Sequence, residues 1–195
     1  PSADEQSAPT LRVGTAYVME STDHQNPKLN NVTSRTVESA DEHEMVLKVV
    51  NQKSGYVRHL AYTPDLALVS TRNEKGTRVT YEPPLPYFKF PLKAGEVWSA
   101  ESVEKTDGVV TNRHSIRGKV VGRETISEAV GNFNAWKISI ESSVTNPEGK
   151  TTLGTDTSWY VPELGRSVRS DLTAKNPDGS GFSSKTVRMI SKTPD

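Results

Sequence analysis

Hydrophobic and polar residues alternate with a period of two along most of this chain, the pattern of strands whose two faces meet different surroundings. Leu11, Val13, Thr15, Tyr17 and Met19 share one phase, while Arg12, Gly14, Ala16, Val18 and Glu20 share the other. Residues 21–28 read as a loop, with Asp23, His24, Asn26 and Pro27 among them, and the Thr/Val-rich residues 31–39 read as extended. The acidic run at 41–44 would suit a helix start, but the β-branched segment at 45–50 is too short for one and reads as a strand. Short strands recur at 55–62, 66–71 and 77–81, punctuated by Pro64-Asp65 and Asn73-Glu74-Lys75-Gly76. Pro83-Pro84-Leu85-Pro86 is expected to interrupt regular structure, because proline carries no backbone donor and holds the preceding residue extended.

Longer strands follow. Residues 97–105 lead into Asp107-Gly108, a strong hairpin signal, and 109–124 return as their partner. Within that partner Val110, His114, Ile116 and Val120 are expected on one face and Arg113, Arg117, Lys119 and Arg123 on the other, with bends or bulges at Gly118 and Gly122. Further strands are expected at 134–145, 151–161, 167–174 and 181–191, joined across Asn146-Pro147-Glu148-Gly149 and Asn176-Pro177-Asp178-Gly179. No amphipathic helix is evident. About a dozen strands in hairpin succession predict an all-β protein: a large curved antiparallel sheet forming an up-and-down barrel or half-barrel, with a β-sandwich as the alternative.

Composition narrows this picture. Only 33% of the 195 residues are hydrophobic, which suits sheets with one wet face better than helices buried all round. Lys+Arg and Asp+Glu balance at 24 each, so overall charge recruits no nucleic acid. Cysteine is absent, which excludes disulfides and thiolate chemistry. Residues 1–9 are small and polar and are expected to form a flexible segment ahead of a single antiparallel β domain at 10–195. Such a segment is what removal of a targeting sequence leaves, so the chain is expected to be exported, periplasmic or held on a bacterial envelope by a lipidated N-terminus not present in this sequence.

All three tryptophans lie beside turn-forming glycines: in Phe90-Pro91-Leu92-Lys93-Ala94-Gly95-Glu96-Val97-Trp98, in Gly131-Asn132-Phe133-Asn134-Ala135-Trp136, and in Trp159-Tyr160-Val161-Pro162-Glu163-Leu164-Gly165. Together with Gly122-Arg123-Glu124, these segments resemble the TapB-like family of bacterial exported and lipoprotein-like proteins over roughly residues 85–169. The chain departs from that pattern in the length of the link after Glu124 and in Val130-Gly131, where the family carries Ala-Gly. The resemblance implies a curved antiparallel β fold, an envelope location and no assigned reaction.

The chemistry in the sequence is sparse. His24, His43, His59 and His114 are widely spaced and form no ligand pair, so no metal site and no cofactor are expected. Ser102-Val103-Glu104-Lys105 falls on a strand without companion motifs, and Gly179-Ser180-Gly181 reads as a hairpin turn. Carboxylate pairs such as Glu101 with Glu104, or Glu124 with Glu128, are expected on solvated faces, and no catalytic residue is assigned. Two features remain. Trp98, Trp136, Trp159, Tyr160, Tyr87 and Phe88, with His114, are candidates either for core or for the wall of a hydrophobic ligand surface. Arg113, Arg117, Lys119 and Arg123 form a candidate basic stripe. The expectation is a non-enzymatic envelope protein presenting a curved β surface to a hydrophobic small molecule or envelope component. The alternative is an assembly protein meeting a protein or polysaccharide through an edge strand or the basic stripe. A hydrolase ranks third.

Overall fold

In the computed structural model, which describes residues 4–193, each turn signal closes a hairpin between sequence neighbours. The strands are β1 (Glu5–Gln6), β2 (Ala16–Asp23), β3 (Asn31–Ala40), β4 (Met45–Asn51), β5 (Val57–Tyr62), β6 (Leu68–Asn73), β7 (Arg78–Leu85), β8 (Leu92–Lys93), β9 (Val97–Thr106), β10 (Val109–Glu128), β11 (Gly131–Thr145), β12 (Thr151–Val161), β13 (Arg166–Lys175) and β14 (Ser183–Thr193). Twelve of them form a closed antiparallel barrel that follows chain order, with β7 pairing β9 directly and β14 returning to β2. Closure decides between the expected architectures in favour of the barrel over the half-barrel and the sandwich. It also removes the long free edge that an open sheet would have carried.

The two rims are built differently. At one rim asparagines organise the hairpins: Asn51, Asn73 and Asn146 accept backbone N–H groups of the following residues through their side-chain oxygens. Gly76 and Gly149 close the Asn73 and Asn146 turns at φ 82°, and Gly179 closes the turn at Asn176 at φ 85°, a region other residues avoid. The opposite rim is plugged. Phe88 and Phe90 pack on Tyr160 at 5.4 and 5.6 Å, Leu85 and Leu92 are fully buried, and the Trp98 indole N–H donates to the Pro86 carbonyl at 2.8 Å. Gly165 ends a 3-10 turn (Pro162–Leu164) in the left-handed region, and a Cβ there would lie 2.9 Å from Pro9, so the N-terminal segment seats on this bare backbone.

Several expectations shift. Within segment 1–9, expected to be flexible, Glu5–Gln6 pair antiparallel with Leu92–Lys93 across the plugged rim; residues 1–3 lie outside the described residues. The first barrel strand begins at Ala16 instead of near Thr10, because Arg12 to Thr15 close a turn with Gly14 at φ 86°. The proline run does not interrupt the barrel: β7 passes through Pro83 and Pro84. Pairing with β9 stops at Glu82 and the register with β6 slips beside these residues, so their missing donors fall where the ladder is already broken.

The faces of β10 are reset by two bulges, between Val110 and Asn112 and between Val120 and Gly122. The first puts Val110 outside, away from inward His114, Ile116 and Val120. The second takes Arg123 out of the basic stripe: it pairs with inward Trp136 and its guanidinium sits 4.5 Å over that indole. Arg113, Arg117 and Lys119 remain exposed on the outer face. Gly122 is the bulge glycine, at φ 148°. Gly118 has another task, since a Cβ on it would stand 2.2 Å from the Trp98 ring.

Candidate functional site

A barrel of about eight strands is just wide enough for its own side chains to fill, and additional strands widen the interior. Twelve strands therefore leave space unless the inward residues are large. At the plugged rim they are: Trp136, Ile138, Tyr160, Val161 and Val168 are all at most 2% exposed. Further along the same three strands the small inward residues Ser142, Gly154, Ser158, Ser170 and Ala174 flank the row Ile140, Asp156 and Leu172, and together they line a cavity of about 650 Å³. That volume lies within the usual range for small-molecule sites. Val144 and Thr152 carry the cavity toward the asparagine-turn rim. A second hollow of about 370 Å³ lies between residues 9–12 and Pro162 to Arg166 and shares Leu11, Tyr17, Gly165 and Arg166 with the first.

The cavity wall is apolar on much of its surface, through Met19, Met45, Leu47, Ile116, Ile140 and Phe88. Its polar groups are few and placed. Arg35, Arg58, Arg166, Lys185, His114 and Asp156 line it. Arg166 donates from Nε to the Leu164 carbonyl at 2.9 Å and its guanidinium lies 3.9 Å over the Tyr17 ring, yet its buried Nη1 has no hydrogen-bond partner. Burial and the neighbouring Arg35 lower its pKa. Asp156 Oδ1 is likewise buried without a partner, and burial pushes this carboxyl up to about 6 against the opposing pull of Lys185. Tyr62 and Tyr87 also line the cavity, and burial raises both phenols to about 12, so they remain neutral donors.

His114 is engaged within the wall. Its Nε2 lies 2.7 Å from Glu104 Oε2, and Tyr81 meets its ring edge-on at 5.6 Å. Burial pushes the Glu104 carboxyl up, but hydrogen bonds from His114, Asn112 and Thr111 outweigh it and hold the group below its ordinary value. Glu101 and Glu104 leave β9 on opposite faces, Glu101 opposite Ser115 and Glu104 opposite Asn112. Among the described residues no three His, Asp or Glu side chains gather closely enough to hold a metal ion.

The structure divides the aromatic candidates. Tyr87 and Phe88 reach the cavity with His114, whereas Trp98, Trp136, Trp159 and Tyr160 are not among its lining residues. Trp98 fills the space above Gly118, and Trp136 and Tyr160 belong to the plugged rim. Trp159 faces outward, covered by charge: its N–H donates to Glu124 at 2.8 Å, while Lys137 and Arg169 lie 5.4 and 4.9 Å over its ring. Arg35, Arg58, Arg166 and Asp156 are cavity residues that sequence reading did not single out. Arg35 is two positions from buried Val37 and Asp156 two from Ser158 and four from Tyr160, so a charge in phase with an inward face was the available signal.

The outer surface bears on the setting. Across β10 to β13 the outward rows read Arg117, Glu141, Thr155, Thr173 and Lys119, Ser139, Thr157, Asp171. A barrel that meets lipid carries an outward apolar band, and these rows are its opposite. No helix among the described residues is long and apolar enough to cross a membrane.

No protein-family model matches this chain, and no curated protein matches it in sequence. Solved structures do match in fold. A candidate exported protein with a YmcC-like fold from Bacteroides fragilis NCTC 9343 superposes with a TM-score of 0.58 at 16% identity, over 96% of this chain and 99% of that one. A candidate lipoprotein from Parabacteroides distasonis ATCC 8503 gives 0.53 at 12% identity over 96% and 99%. The hypothetical lipoprotein YmcC from Escherichia coli K12 gives 0.52 at 16% identity over 93% and 86%. This chain thus shares the architecture of YmcC-like barrels over nearly its whole length.

Proposed function

We propose that this protein is a non-enzymatic, exported envelope protein that binds a hydrophobic small molecule inside its barrel. The observation that carries the reading is the cavity of about 650 Å³ beside the small inward residues of β11 to β13, walled by apolar side chains with a few directed polar groups. The envelope setting is supported by the descriptions of the fold neighbours as lipoproteins or an exported protein, and by the resemblance of the tryptophan-glycine segments to TapB-like proteins. The reading predicts saturable fluorescence enhancement of the neutral dye N-phenyl-1-naphthylamine by the full chain. Absence of saturable binding, or binding unaffected when the cavity is filled by Ser170→Phe, overturns it.

A second reading rests on a different surface. Arg113, Arg117 and Lys119 stand exposed in one outward row, and among the described residues none has an ion-pair partner. Such a row fits an acidic protein or polysaccharide partner in the envelope.

A further inference from the structure

Charge inside the cavity is unbalanced. Arg35, Arg58, Arg166 and Lys185 line it, and among the described residues Asp156 is the one carboxylate that does. Asp156 answers to Lys185, and none of the three arginines has a carboxylate within ion-pairing distance among the described residues. Arg166 is fixed in place by a backbone carbonyl and an aromatic face, neither of which neutralises it, and Nη1 is left buried and unpartnered. A guanidinium withdrawn from water without a counter-charge is unfavourable, and its planar fork matches a carboxylate or phosphate.

Register places the other two beside it. Arg35 stands opposite Tyr17, whose ring carries Arg166, and Arg58 stands opposite Val49, which is itself opposite Arg35. With strands about 4.8 Å apart, the Arg35 and Arg58 backbones are about 10 Å from one another. The arginines therefore belong to the arc from β13 to β5, while Ile116 and Ile140 stand on β10 and β11. A lone anion would leave these apolar walls wet. A lone hydrocarbon would leave the arginines uncompensated.

We propose that the cavity takes an amphiphile with an anionic head, a carboxylate or a phosphate, held by Arg166 with Arg35 and Arg58 while its hydrocarbon part lies against Ile116, Ile140 and Leu47. This rests on the small-molecule reading above and adds the ligand's chemical class.

The test displaces N-phenyl-1-naphthylamine from the full chain with dodecanoate, dodecyl phosphate, dodecanol and inorganic phosphate. The two anionic amphiphiles are expected to displace the dye at concentrations at least about tenfold below that of dodecanol, the effect of one charge-assisted hydrogen bond. Inorganic phosphate is expected to displace none. Arg166→Gln should close the gap between dodecanoate and dodecanol, and Arg58→Gln, at an exposed position, should narrow it. Equal displacement by dodecanol and dodecanoate overturns the anionic head and leaves the cavity reading standing. Displacement by inorganic phosphate alone overturns the amphiphile. A gap unchanged in both arginine variants overturns the assigned residues. A dye that never binds removes the cavity reading and this proposal with it.

Discussion

The same strands, β11 to β13, build two unlike interiors. Toward the plugged rim their inward residues are Trp136, Ile138, Tyr160 and Val168, which fill the barrel; toward the asparagine-turn rim they are Ser142, Gly154, Ser170 and Ala174, which do not. The β11–β12 ladder is continuous through both and the β12–β13 ladder slips once, between Trp159 and Tyr160, so the packed half combines larger side chains with one register shift. Stability is concentrated where volume is large, and the capacity to bind where it is small. Buried unpartnered polar atoms occur in both halves: Arg166 Nη1 and Asp156 Oδ1 belong to residues of the cavity wall, while the Trp136 indole nitrogen and the Tyr160 hydroxyl lie on the packed side, where the Trp98 indole is satisfied by the Pro86 carbonyl.

Breaking the packed half should have the largest effect. Trp136→Ala removes a side chain 2% exposed beneath Arg123, and the expected loss is about 3–5 kcal/mol in chemical denaturation. A loss under about 1 kcal/mol would mean that this rim is loosely filled and that the contrast between the halves fails.

A smaller effect of opposite sign is expected from Asp156→Asn. The folded pKa of Asp156 is raised from 3.8 to about 6, so the native state binds the proton more tightly than the unfolded chain. Its contribution is fully present below about pH 4, declines as pH rises through about 6, and leaves the fold less stable at neutral pH. Asparagine removes that penalty. The variant should gain up to about 3 kcal/mol at pH 7 and nothing at pH 4. Equal gains at both pH values would trace the effect to packing instead of ionisation.

The smallest effect on stability should come from filling the hollow half. Ser170→Phe places an aromatic ring where space exists, and the unfolding free energy should change by less than about 1 kcal/mol while dye binding is lost. A large destabilisation would show that the hollow is narrower than its volume implies.

Much of the fold was legible because its signals are local. The turn between β11 and β12 needs only Asn146 and Gly149 near in sequence, and strand 151–161 was read to its ends. The errors in the first half are local conflicts that pairing resolved: Pro83 and Pro84 look incompatible with a strand until the register slip beside them is known. The candidate site was less legible. His114, Tyr87 and Phe88 announced themselves by apolar neighbours, whereas Arg35 sits in a Thr/Ser-rich strand where Val37, two positions on, is the single apolar mark of the inward phase. Arg123 shows the converse. Its period-two spacing from Lys119 and Arg117 is real in sequence, and one extra residue at the bulge sends it to the other face.

Period-two alternation and asparagine-glycine turns by themselves determined an antiparallel chain of about a dozen strands, because hairpin pairing depends on residues adjacent in sequence. Closure of β14 onto β2, the bulges that reassign β10, and the meeting of Arg166 with Tyr17 were decided only in three dimensions. Each joins residues far apart in the chain, and no local pattern encodes whether a sheet closes, how wide it closes, or which charges then face one another across the space inside.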